Sequence, residues 1–228
     1  MKQYRLRSFG FFCALVLVWA CDSGSDSKQE EAIQPVASEN QLETLKNQIS
    51  LALVQKNNWL NHWAGSLGGF DESDFIWVFT DSIDPMEMPE KNPILEKDPL
   101  RPYQIAHPEG DGVMDIYSYK VEAQEGLDRP FLNPDSEVIW YRSDGMKERL
   151  LFIGPSGMFE EGLWLSPVEF LVLGYFEEDE GFRPMVWMIN TEKHQLSQFK
   201  LNKTTEKYLP ASYLDKKLKS VDLASNGN

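Results

Sequence analysis

The side chains of this sequence that could do chemistry are three histidines, one serine in a glycine-rich turn, three acidic runs and two cysteines. The histidines are His62, His107 and His194, far apart along the chain. No HxxxH or HExxH spacing joins them, so the pattern that sets two imidazoles on one helix face for zinc is missing. Ser156 sits in Gly154-Pro155-Ser156-Gly157, but Met158 stands where the last glycine of a Gly-x-Ser-x-Gly elbow belongs. The strand–helix context of that elbow is also absent, so a tight turn after a strand is expected. A Ser/His/Asp assembly is set by geometry and not by spacing, so that question stays open. Acids cluster at Asp71-Glu72-Ser73-Asp74, Glu160-Glu161 and Glu177-Glu178-Asp179-Glu180. Calcium takes such oxygens, yet the EF-hand order with its central glycine and terminal glutamate is not there. These runs read as solvated loops. A glycosidase needs two carboxyls about 5 to 9.5 Å apart, and no motif nominates a pair. Trp140-Tyr141, Trp164 and Trp187 either line a sugar or peptide groove or, more commonly for aromatics in strands, fill the core. No catalytic residue, cofactor or metal site is therefore expected from spacing.

The cysteines are Cys13 and Cys21. Lys2, Arg5 and Arg7 precede an apolar run from Phe11 to Trp19, and Ala20 follows it. A basic start, a short apolar stretch and a small residue make a secretory signal peptide over 1–20. The apolar run falls well short of the roughly 20 residues that cross a bilayer as a helix. With cysteine as the first mature residue, the junction Val18-Trp19-Ala20-Cys21 resembles a bacterial lipoprotein signal. That resemblance implies cleavage after Ala20, lipid attachment at Cys21, and an anchor in a bacterial cell envelope, on the periplasmic face or the outer cell surface. A single acyl chain holds a protein only marginally, and the resemblance implies several. Asp22, Asp26, Glu30 and Glu31 resemble the sorting signals of Gram-negative lipoproteins, which imply inner-membrane retention in some lineages and surface export in others. A merely solvated linker is the alternative. Cys13 leaves with the signal, so no thiol remains for a disulfide, a zinc site or a nucleophile.

Charge narrows the partners. The chain carries 22 basic and 36 acidic residues, a net charge of −14. Removal of 1–20 leaves 19 basic against 36 acidic, a net −17. Nucleic acid is not expected as a partner, because its affinity comes from Lys and Arg neutralising phosphates. Direct adhesion to an anionic lipid surface is equally disfavoured without the acyl anchor. An envelope protein or a polysaccharide remains.

The elements that must position any site begin after an acidic stretch over 21–37, which has too little apolar surface to order itself and reads as a flexible tether. A single globular domain is expected over 38–221. Ser38 with Gln41 fits a capping box, and Leu42, Leu45, Ile49, Leu53, Leu60 and Trp63 form one apolar stripe, predicting a helix over 38–66. Gly65, Gly68 and Gly69 supply its stop, and Asn57-Asn58 a place to kink. Strands are expected at 75–80, 113–121, 137–141, 148–153, 169–176, 184–189 and 196–201, separated by turn residues. The proline-rich stretch 85–108 reads as a long surface loop. A short helix is expected over 211–221, with Lys216, Lys217 and Lys219 toward its end, and a loose tail over 222–228. Two three-strand meanders, the second starting about 59 residues after the first, suggest a weak repeat in the style of propeller blades. Two units cannot close a propeller. The expected fold is thus mainly β (α+β): two antiparallel meander sheets, one long N-terminal helix and one short C-terminal helix.

Three functions fit. One is a non-enzymatic envelope binding module. The second is a lipid-anchored hydrolase with an unrecognised carboxylate site. The third is an accessory that docks through the N-terminal helix, which an exposed stripe over 42–63 would favour.

Overall fold

Ser38 opens the folded part: its hydroxyl accepts the Gln41 N–H and caps α1 (Glu39–Gln55). In the computed structural model residues 38–122 and 128–223 are described. The signal segment, Cys21, the acidic tether and residues 224–228 of the tail lie outside the described residues. The helix expected over 38–66 is two helices. Lys56 leaves helical geometry (φ −103°, ψ 42°) and α2 (Asn57–Leu67) starts immediately after it. Gly68 then ends α2 in the left-handed region at φ 69°, the conformation glycine adopts without a Cβ penalty. The apolar stripe faces inward: Ile49, Ala52 and Leu53 of α1 and Trp59 and Trp63 of α2 are buried.

Strands follow as β1 (Phe75–Ser82), β2 (Met86–Pro89), β3 (Ile105–Ala106), β4 (Val113–Asp115), β5 (Val121–Glu122), β6 (Phe131–Leu132), β7 (Ser136–Tyr141), β8 (Met146–Ile153), β9 (Gly157–Ser166), β10 (Glu169–Glu178), β11 (Gly181–Asn190) and β12 (Gln195–Leu201). They build two five-stranded sheets, β1-β12-β11-β10-β9 and β2-β8-β7-β4-β3, with β5-β6 as a separate ribbon. All pairings are antiparallel. The short helix α3 (Ser212–Lys217) closes the described chain.

Four differences from the sequence-based expectation have local causes. The stretch 85–108 is not loop throughout: β2 pairs with β8 at a sheet edge, the place in a sheet that tolerates Pro89, and β3 pairs with β4. The strand expected over 113–121 stops at Asp115, whose carboxylate accepts the N–H groups of Tyr117 (3.0 Å) and Ser118 (2.8 Å) and turns the chain. The C-terminal helix ends at Lys217 and continues only as a turn. Strand β9 was expected as loop, and it is the strand that matters most below.

β9 is the edge of the first sheet and lies against α1, β3 and β7. Trp164 of β9 meets Trp140 of β7 edge-on at 5.9 Å between centroids, so aromatic packing joins the two sheets. Trp140 and Trp187 are both buried, each on a strand with neighbours on both sides. Trp140 and Trp187 therefore fill the core, Trp164 is half-buried against Trp140, and Tyr141 also lines an open surface depression with Ile94, Arg101 and Arg142. One continuous apolar cluster takes residues from both sheets and all three helices.

Candidate functional site

The most unusual chemistry in the structure comes from an irregular pairing of β9 with β10. Glu161 faces Leu173 and Phe159 faces Gly174, leaving Glu160 as an extra residue. Such a bulge breaks the alternation of side chains and re-aims them. Glu160 and Glu161 both reach the helical layer, at 0% and 3% exposure. Gly174 is what allows the close approach: a Cβ there would lie 2.0 Å from the Met158 carbonyl oxygen. The acidic pair expected in a solvated loop is thus interior.

Glu160 sits among neutral donors. Trp59 Nε1–H (2.8 Å) and Trp63 Nε1–H (3.0 Å) donate to its Oε2, and the Tyr208 hydroxyl donates to its Oε1. Trp59 and Trp63 are four residues apart, so one helix face presents both indoles. Tyr208 stacks on Trp63 with centroids 3.8 Å apart, which holds both donors in place. Burial pushes the Glu160 carboxyl up to about 7, the three donors pull it down in part, and the Glu161 charge adds to the rise. No cation pairs with Glu160 among the described residues.

Glu161 has the opposite surroundings. Lys56 Nζ donates to Oε2 (2.9 Å), while Lys217 Nζ (2.5 Å) and the Tyr213 hydroxyl (2.6 Å) donate to Oε1. Burial works against its charge, but the two ammonium groups outweigh it and hold the carboxyl below the usual range. The break at Lys56 gains a purpose here, because it delivers a lysine from the α1–α2 junction to a carboxylate on β9. The pair fastens three elements onto one strand.

Beside this clamp lies an open depression of about 550 Å3. The α2 side contributes Asn58, Asn61 and His62, and the α3 side Tyr213, Lys216, Lys217 and Lys219. No acid lines it. His62 packs against the rings of Tyr208 and Tyr213, at 5.5 and 5.4 Å. Lys216 Nζ lies 3.3 Å from His62 Nδ1, and Ser212 Oγ lies 3.0 Å from Nε2. An ammonium group only donates, so Nδ1 accepts and Nε2 carries the proton. Burial, then the Lys216 charge, lowers the His62 pKa and keeps the ring neutral.

The other candidates stay apart. His107 tethers the β3–β4 turn to the β9–β10 turn, with Nε2 donating to the Pro167 carbonyl (2.7 Å) and Nδ1 accepting the Glu109 N–H (3.2 Å). His194, in the β11–β12 turn, has Glu148 as its acidic neighbour at 3.7 Å. Ser156 is exposed in the turn before β9, with no side-chain hydrogen bond to a histidine. Asp71 accepts the Ser73 N–H (2.9 Å) and caps a short 3-10 turn. Glu178 is bound by the Arg183 guanidinium (2.7 Å), so that acidic run is not merely solvated. Among the described residues no cluster of His, Cys, Asp or Glu could hold a metal ion, and no helix is long and apolar enough to cross a membrane. The sequence names Glu160-Glu161 as an acidic run but places it in a solvated loop, and it gives no sign of the lysine-lined depression. The available signal was an acidic pair inside an apolar ten-residue stretch bounded by two proline turns. No family model, curated protein or solved structure matches this chain.

Proposed function

We propose that this chain is a bacterial envelope lipoprotein, acylated at Cys21, whose folded part is a non-enzymatic binding module for an envelope protein or polysaccharide. The observation that supports binding over catalysis is the closure of the acidic pair. All four carboxylate oxygens of Glu160 and Glu161 accept from internal donors. The side chains lining the recess beside them are lysines, asparagines, a tyrosine and a histidine, with no second carboxyl to pair with Glu160. The strands β4, β7, β8 and β10, β11, β12 are read as a weakly repeated meander in the style of a propeller blade, within one β domain.

A hydrolase is the second reading, favoured by one observation: a buried carboxyl near pH 7 lies in the range a general acid needs. Docking through α1 has less support, because its stripe packs inward and only Leu51 and Val54 stand exposed among its large apolar groups.

Two experiments test the proposal. Radiolabelled palmitate should enter the wild-type protein and not C21A, and C21A should leave the membrane fraction; equal labelling of both would overturn the anchor. Turnover of chromogenic glycosides and esters should be absent in wild type and E160Q alike. Hydrolysis lost specifically in E160Q would replace the binding reading with the hydrolase.

A further inference from the structure

We infer that the depression between α2 and α3 binds a phosphate monoester carried on a sugar-sized body. The inference deepens the binding-module reading and is independent of the lipid anchor.

Charge is the first support. In a chain of net charge −14, this one recess is walled by three lysines and no acid. Of its lysines only Lys217 pairs with a carboxylate, Glu161, and that carboxylate is already shared with Lys56. The surplus suits a dianion better than a monoanion. Asp215 and Asp222 stand on the other side of Lys219, around a separate depression.

Donor type is the second. Lysine ammonium groups are compact point charges that can approach the oxygens of a tetrahedral phosphate from several sides. No arginine lines the recess. Two of the three lysines are also held in place. Glu161 fixes Lys217 at 2.5 Å, and His62 Nδ1 accepts from Lys216 at 3.3 Å while its Nε2–H is tied to Ser212. Such support reduces the ordering cost of capturing an anion.

Size and neutral polarity are the third. About 550 Å3 exceeds what a bare phosphate fills and lies within the range of small-molecule sites. Asn58 and Asn61 are exposed on the α2 wall, where their amides can donate to and accept from the hydroxyls of an attached sugar.

The test uses the full-length protein in detergent micelles at constant ionic strength, titrated calorimetrically with glucose 6-phosphate, with phosphatidic acid in mixed micelles, and with acetate. Saturable binding of a phosphate probe at least about tenfold tighter than acetate is expected. K216Q/K219Q should weaken it about tenfold or more, and K97Q, outside the recess, should not change it. N61D, an exposed change that adds a carboxylate, should abolish binding with the melting temperature unchanged, which covers the case of a double variant that folds poorly. Preference for glucose 6-phosphate supports the site, and preference for phosphatidic acid, whose phosphate is carried on a lipid, overturns the sugar-sized body. No saturable binding, equal affinity for acetate, or full affinity in folded K216Q/K219Q and N61D would overturn it. Loss of the phosphate site leaves the module reading standing, whereas hydrolysis dependent on Glu160 removes that reading and not the site.

Discussion

Replacing Glu160 with glutamine should remove a specific pH dependence of stability. Burial raises the folded-state carboxyl to about 7, while an unfolded glutamate titrates near 4.5. Between those values the folded chain keeps a proton that the unfolded chain has lost, so stability falls as pH rises and levels off above about 7. Each unit of difference is worth about 1.4 kcal/mol, which gives a loss of about 3 kcal/mol between pH 4.5 and pH 8. Glutamine keeps the shape and an acceptor for the two indole N–H groups, and its amide can donate to the Tyr208 oxygen, but it does not titrate. The assay is urea unfolding followed by tryptophan fluorescence at pH 5 and pH 8 for both proteins. His62 titrates in the same range with the opposite sign, because its pKa is lowered, and Glu161 loses stability only as pH falls. Both contributions cancel in the difference between wild type and E160Q. That difference should shift by about 2.5 kcal/mol against wild type at the higher pH, because pH 5 already lies inside the window. An unchanged difference at the two pH values would refute the account of Glu160 as a neutral buried acid. E160A is the contrasting change: it strands two indole N–H groups and a hydroxyl, each costing about 1–3 kcal/mol, at every pH.

Other expectations follow from packing. G174A places a methyl 2.0 Å from the Met158 carbonyl oxygen, so the β9–β10 bulge must open and stability should fall by about 3 kcal/mol in urea melts; a loss under about 0.5 kcal/mol would show that the bulge tolerates the methyl. W187A removes a ring packed on Phe159 and Phe176, and W140A one packed on Trp164 and His107; each should cost about 3–5 kcal/mol, checked by the same melts. Circular dichroism with and without EDTA should give the same β-dominated spectrum and melting temperature, and unfolding on chelation would show that a metal holds the fold.

The β character was readable because β1, β7, β8, β10, β11 and β12 carry dense apolar runs bounded by Asn-Pro-Asp, Ser-Asp-Gly and similar turns. The α1 stripe and its Ser38 cap were readable for the same reason: local periodicity matched burial. Strand β9 was not readable. Glu160-Glu161 breaks the alternation that marks a strand, and the break is itself the bulge. Only long-range partners reveal it, since Trp59, Trp63 and Tyr208 lie 101, 97 and 48 residues from Glu160. The lysines of α3 were visible as charges suited to a helix C-terminus. Their convergence with Asn58, Asn61 and His62 depends on a contact between residues about 150 apart, such as His62 with Ser212, which no local pattern encodes.

One irregularity in one strand accounts for both halves of this arrangement. Regular alternation would send Glu160 and Glu161 to opposite faces of the sheet. The bulge sends both toward the helices, and their neighbours then separate their protonation. Burial raises Glu160, the indoles and the phenol offset that only in part, and it fastens α2 to β9 without bringing a cation into the core. Glu161 meets Lys56 and Lys217 and falls, so it stays ionised and draws lysines from two helical elements to one place. A single carboxylate cannot neutralise two ammonium groups, and Lys216 and Lys219 add to the excess at the same rim. Holding the helices down therefore leaves uncompensated positive charge at the surface. In a strongly acidic protein, that excess is the feature of this fold most suited to recognising something else.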